Sequence, residues 1–159
     1  NHGMVVRYHH EFVGVNSRLD SIQAAILDAK LPHLDEYIVA RQQAAAFYDQ
    51  AFEGNPYLLI PAREKQSSHV FHQYTLRLVN TDRDALRAAL IEKGIPAMIY
   101  YPIPLHMQKA YNDPRYKKGD FPIAEKLAKC VLSLPMHTEL DQEQLTYITQ
   151  EVLNFVNNQ

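Results

Sequence analysis

Apolar residues recur at helical spacing from Leu19 onward. Leu19, Ile22, Ile26 and Ala29 share one face of a segment that runs to about Lys30. Pro32 interrupts that period, and a second segment then carries Leu34, Ile38, Ala45, Tyr48 and Phe52 on one face until Gly54-Asn55-Pro56 stops it. Together they predict a long, kinked, amphipathic rod. The period changes after Pro56. Leu58-Leu59-Ile60 reads as a short strand. Val70 to Val79 alternates cleanly, with Val70, His72, Tyr74, Leu76 and Leu78 on one face. Thr81 is placed to cap a helix over about Asp82 to Lys93, closed by Gly94. Ala97 to Tyr101 reads as a strand running into the stiff Pro102-Ile103-Pro104 connection. Pro122 opens another helix, Val131 to Leu134 forms a buried strand, and Asp141 with Gln144 makes a capping-box start to a last helix packing Leu145, Ile148, Val152 and Phe155. The order predicts an α/β chain of α+β type: a long kinked helical arm, then a small, mostly antiparallel sheet covered by helices.

Composition narrows the function classes. The chain has 159 residues, 47% hydrophobic and 21% charged, which suits a globular core. A formal net charge of −2 argues against a partner held by phosphate attraction along a nucleic acid. No apolar run approaches the ~20 residues of a membrane span. The single cysteine, Cys130, sits in an apolar run and reads as a core thiol; with no disulfide framework, a reducing cytoplasm is expected. The chain opens without Met, and we expect it to be part of a longer protein.

The candidate chemistry lies in two places. Gly14-Val15-Asn16-Ser17-Arg18 is a turn carrying an amide and a guanidinium, followed at once by a helix whose free N–H groups favour an anion. It reads either as a phosphate or carboxylate site, or simply as a cap supplied by Asn16 or Ser17. The second place is a polar and aromatic set at strand ends: His72, Gln73, Tyr74, Tyr100, Tyr101, His106 and Gln108. Tyr74 reads as packing. Tyr100 and Tyr101 are adjacent, so one phenol should be exposed, beside His106, to orient a sugar or phosphate. His69 and His72 have poor spacing for a metal on a strand, the polar run His9-His10-Glu11 fares no better, and no metal is expected. With 5 glycines, a glycine-rich phosphate cradle is nearly excluded.

Several phrases, in this order, resemble the DegT/StrS family of pyridoxal-phosphate-dependent sugar aminotransferases. They are Asn1-His2-Gly3, Gly14-Val15-Asn16-Ser17-Arg18-Leu19-Asp20 with Gln23-Ala24-Ala25, His72-Gln73-Tyr74, Tyr101-Pro102-Ile103-Pro104-Leu105-His106, and Leu132-Ser133-Leu134-Pro135-Met136-His137. The resemblance implies the C-terminal part of a fold-type I aminotransferase. Residues 1–18 would end the large cofactor domain, 19–56 would be connecting and interface helices, and 57–159 the small C-terminal domain. The family's Schiff-base lysine would lie upstream, so no catalytic residue is assigned here and the isolated chain should be inactive. Asn16 matches the asparagine that reaches the cofactor phosphate of a neighbouring subunit. Arg18, Tyr100, Tyr101 and, more weakly, His106 would face the nucleotide-sugar substrate. Tyr100 stands where many members have His. The implied whole protein is a cytoplasmic homodimer that uses pyridoxal 5'-phosphate to move an amino group from Glu or Gln to a keto group on a nucleotide-linked sugar, for polysaccharide or glycan biosynthesis. The alternative is a non-catalytic α+β ligand-binding or dimerisation module.

Overall fold

The structure, a computed structural model, describes residues 3–14 and 16–158. Asn1, His2 and Val15 of the phrases above lie outside these residues. The chain starts with a hairpin that the sequence pattern did not announce, β1 (Met4–Val6) paired antiparallel with β2 (His9–His10). Gly3 opens it at φ +77°, and a Cβ there would stand 1.7 Å from the Phe12 carbonyl oxygen, so only glycine fits this crossing.

The rod is present as α1 (Ser21–Lys30), a 3₁₀ turn over Leu31–His33 at Pro32, and α2 (Leu34–Phe52). It is buried at one end only. In α2 the buried residues are Ala44, Ala45, Tyr48 and Phe52, whereas α1 buries none and Ile22 is 76% exposed. The stripe predicted from Leu19 to Ile38 therefore faces outward or is only half covered.

Three strands form a wholly antiparallel sheet in the order β3 (Leu58–Leu59), β4 (Tyr74–Leu78), β5 (Val131–Leu134). Tyr74 lies opposite Leu134 and Arg77 opposite Val131. Tyr74, Leu76 and Leu78 are buried, as the alternation predicted, and Tyr74 is a packing residue. Its ring meets Tyr48 at 4.8 Å, and its hydroxyl donates to Asp49 Oδ1 at 2.8 Å, with Asp49 in turn paired to Arg63. Burial pushes both the Tyr48 and Tyr74 phenols well above their ordinary pKa.

The long strand predicted over Val70 to Val79 is cut to its second half. Phe71 takes φ +49°, which reverses the alternation, so Phe71 is buried and Val70 and His72 are exposed. The backbone here is held by α2 instead of a ladder. Arg41 Nη1 donates to the carbonyls of Phe71 (3.1 Å), His72 (3.3 Å) and Met136 (3.2 Å), and Gln42 donates to His69 O (3.0 Å). The strand predicted over Ala97 to Tyr101 reduces to one bridge, Met98 opposite Ser133.

α3 (Arg83–Glu92) is capped by Asp82, not Thr81; the Asp82 carboxylate accepts from the amides of Asp84 and Ala85. α4 (Pro122–Cys130) starts at Pro122 as predicted, and α5 (Gln142–Asn157) carries the Asp141/Gln144 capping box. Within α5 Val156 is fully buried and Phe155 only half so. Cys130 is half-buried and free, more open than a core thiol.

His106 lies in a 3₁₀ turn (Leu105–Met107) and binds inward. Its Nε2 is 3.0 Å from Glu125 Oε1 on α4, both side chains being mostly buried, and its ring packs on Phe121 at 4.7 Å. Glu125 Oε1 also accepts from the Gly119 amide at 2.7 Å. That N–H, followed by His106, holds the Glu125 carboxyl below its ordinary pKa, against a smaller opposing effect of burial.

Two outcomes follow. Leu76→Ala, at a fully buried position in the central strand, should cost about 2–5 kcal/mol in denaturant unfolding. A loss under about 0.5 kcal/mol would mean the core is not centred on β4. Glu125 has a depressed folded pKa, so its contribution is complete above its ordinary value of 4.5 and is lost as pH falls through the folded value. The stability gap between wild type and Glu125→Gln should therefore be constant at neutral pH and close on acidification below 4.5; a gap independent of pH would contradict this.

Candidate functional site

Asn16 and Arg18 stand in exposed chain ahead of α1. The cap is neither Asn16 nor Ser17. Asp20 takes that place, its carboxylate accepting from the Gln23 amide at 2.8 Å while Gln23 Oε1 accepts from the Asp20 amide at 3.4 Å. An acidic group of the chain thus already sits on the N–H groups at the helix start, and any anion-binding capacity of this corner belongs to the side chains of Asn16 and Arg18. Arg18 Nη1 donates to Asn16 Oδ1. This bond sets the amide so that its nitrogen remains a donor, and among the described residues Asn16 Nδ2 has no partner. An outward amide donor beside an outward guanidinium suits a phosphate or carboxylate.

Tyr100 and Tyr101 meet over a third tyrosine that sequence reasoning missed. Tyr8, at the tip of the β1–β2 hairpin, has its ring 5.8 Å from Tyr100 and 5.3 Å from Tyr101, edge-on to both. The Tyr100–Tyr101 peptide is cis. The Arg7 guanidinium lies 5.2 Å from the Tyr8 ring centre, in cation–π range. Tyr101 is 60% exposed and Tyr100 half-buried. Burial, and then the neighbouring Tyr8, raise the Tyr100 pKa, so its hydroxyl is a neutral donor at physiological pH. The three tyrosines line a cleft of about 540 Å³ together with Ile103, Leu105 and Gln108. Tyr101 also borders a second cleft with His72 and Gln73. Such a wall offers aromatic faces to a sugar or base, hydroxyl donors to its edges and a guanidinium to a phosphate.

The structure thus brings Tyr100 and Tyr101 together with Tyr8, and Asn16 with Arg18. His106, expected beside the exposed phenol, instead has its ring engaged by Glu125 and Phe121 and does not line the cleft of Tyr100 and Tyr101. Tyr8 escaped notice because the hairpin turns at Arg7-Tyr8, with Tyr8 at φ 66°, where no Gly or Asn marks a turn. Among the described residues no group of three or more His, Cys, Asp or Glu is arranged to hold a metal ion. Among the described residues no helix is long and apolar enough to cross a membrane.

The chain is similar to known proteins over nearly all of its length. The chain is 45% identical over 156 residues to a "Pleiotropic regulatory protein" of Geobacillus stearothermophilus, covering 97% of this chain and 41% of that protein. It is 45% identical over 148 residues to a UDP-N-acetyl-3-dehydro-alpha-D-glucosamine 3-aminotransferase of Acidithiobacillus ferrooxidans, covering 93% of this chain and 39% of that protein. Among solved structures, S. venezuelae DesV in complex with a ketimine intermediate superposes with a TM-score of 0.80 at 36% identity, over 97% of this chain and 41% of DesV. The chain spans about two fifths of the length of these relatives. Since the profile of the DegT/DnrJ/EryC1/StrS aminotransferase family matches residues 1–153, nearly the entire length, the chain belongs to that family.

Proposed function

We propose that this chain is the C-terminal part of a pyridoxal-phosphate-dependent aminotransferase that transfers an amino group from Glu or Gln to a keto group of a nucleotide-linked sugar. The observation that carries the reading is the exposed Asn16–Arg18 corner, with its unspent amide donor, in a chain that matches this family over residues 1–153. The names of relatives such as the Acidithiobacillus aminotransferase support the substrate class. The cofactor supplies an electron sink for the amino acid's α-carbon. The chain's residues supply position and charge. Asn16 donates its amide N–H to the cofactor phosphate of a neighbouring subunit, and its bond from Arg18 keeps that donor aimed outward. Arg18 offers the rest of its guanidinium to the anionic part of the nucleotide sugar. Tyr100 and Tyr101 line the sugar side as hydroxyl donors. No lysine of this chain lies in the family's Schiff-base motif, so the isolated chain is inactive. The working form in this reading is a cytoplasmic homodimer with shared sites, serving polysaccharide or glycan assembly.

A second reading is a non-catalytic ligand-binding or dimerisation module. The uncovered apolar stripe of α1 favours it, as does the regulatory name of the Geobacillus relative.

The full-length protein should show a pyridoxal-type absorbance band and aminate a keto sugar nucleotide. UDP-N-acetyl-3-dehydro-α-D-glucosamine, the sugar named for the Acidithiobacillus relative, is the first probe. Absence of both the band and amination would refute the reading. Asn16→Ala should weaken cofactor retention about tenfold or more, the range of a hydrogen bond to a charged group, in equilibrium dialysis. Unchanged retention would remove Asn16 from the cofactor site.

A further inference from the structure

Gln108 is a polar side chain that the fold buries under the tyrosine cleft, at 7% exposure. It joins two 3₁₀ turns, Leu105–Met107 and Lys109–Tyr111. Its hydrogen bonds all run to backbone. Nε2 donates to the Tyr8 carbonyl (2.8 Å) and, at longer range, to the Ile103 carbonyl (3.4 Å), while Oε1 accepts from the His10 amide (3.0 Å). One amide therefore ties the hairpin that carries Tyr8 to the connection that follows Tyr101, across about a hundred residues of chain. The nearby Lys109–Glu11 pair is largely exposed and contributes little. Buried amide bonds are costly to leave unmade, so this tie sets the height of the hairpin over the cleft.

We infer that Gln108 is a positioning residue for the sugar-nucleotide cleft: it seats the hairpin so that Tyr8 meets Tyr100 and Tyr101 edge-on and the three rings present one wall. Both of its amide N–H groups are given to backbone carbonyls and its oxygen accepts from the His10 amide, so it acts through Tyr8. The residue type follows from the partners. The two carbonyls need a donor and the amide needs an acceptor, and a primary amide supplies both. Glutamate would keep the bond from the His10 amide but would set a carboxylate against two carbonyls. Methionine would keep the shape and lose every bond. The inference rests on the aminotransferase reading for its substrate, while the tie itself does not.

The test uses the full-length protein with Gln108→Met and Gln108→Glu, each checked for folding by thermal melting. The readouts are kcat, KM for the UDP-sugar probe, KM for the amino donor, and hydrogen exchange at the His10 amide. Gln108→Met should raise KM for the sugar nucleotide about tenfold with kcat within about twofold, the pattern of lost positioning without lost chemistry. KM for the amino donor should be unchanged, and the His10 amide should exchange faster. Gln108→Glu should raise the same KM while His10 stays protected. An unchanged KM for the sugar, an equal rise in both KM values, or a loss confined to kcat would overturn the inference. If wild type aminates no keto sugar, the functional reading fails on that result alone. The tie is then judged by exchange at residues 8–10 in Gln108→Met: faster exchange supports it and unchanged exchange overturns it. Should the methionine variant not fold, the glutamate variant carries the kinetic comparison.

Discussion

Ala44, Ala45, Tyr48 and Phe52 pack into the core that α2 shares with the three-stranded sheet and α5; this holds α2 by its C-terminal half, and the rest of the architecture depends on that grip. The contact is specific as well as apolar, because Tyr48 donates to Pro135 O at 2.9 Å and Tyr74 donates to Asp49. A helix fixed at one end projects the other. The projecting half carries α1 and, beyond it, the Asn16–Arg18 corner. Leu19, Ile22, Ile26, Leu27 and Leu31 remain uncovered along this arm. A continuous exposed apolar stripe of this kind marks an interaction surface, and the proposed shared-site homodimer requires one.

Side chains that bind backbone do the work of missing strands elsewhere. Arg41 gathers three carbonyls from two loops, and that is why residues 69–73 can leave the ladder and border a cleft with Tyr101. Gln108 does the same for the hairpin, and His106 with Glu125 for the loop before α4. The first two ties bring segments distant in sequence to the clefts that Tyr101 borders.

Periodicity revealed what packing alone decides. The helices, the alternation over Tyr74 to Leu78, the strand Val131 to Leu134 and the cap at Asp141 were legible because each is a local pattern that burial or capping then fixes. Positions governed by a distant partner were not. Nothing local says that Phe71 will adopt a positive φ, since the Arg41 that satisfies its carbonyl is 30 residues away. Thr81 reads as the cap of α3, yet the Asp82 carboxylate takes that place. At the site, Asn16 and Arg18 were legible as chemistry but not as geometry, since Asp20 took the helix terminus assigned to them. Tyr8 was invisible because its value lies in meeting Tyr100 and Tyr101 across the fold.

The central claim is that the outward Asn16–Arg18 corner completes a site on another copy of the protein. A mixed-subunit experiment tests it most directly. One full-length variant carries Asn16→Ala; the other keeps Asn16 and has its Schiff-base lysine replaced by alanine. If the corner acts across subunits, mixing the two restores aminotransferase activity above the sum of the separate variants, because one site of each hybrid pairs an intact lysine with an intact Asn16. Activity that stays at that sum, with hybrid dimers shown to form, would place Asn16 in its own subunit's site and contradict the account.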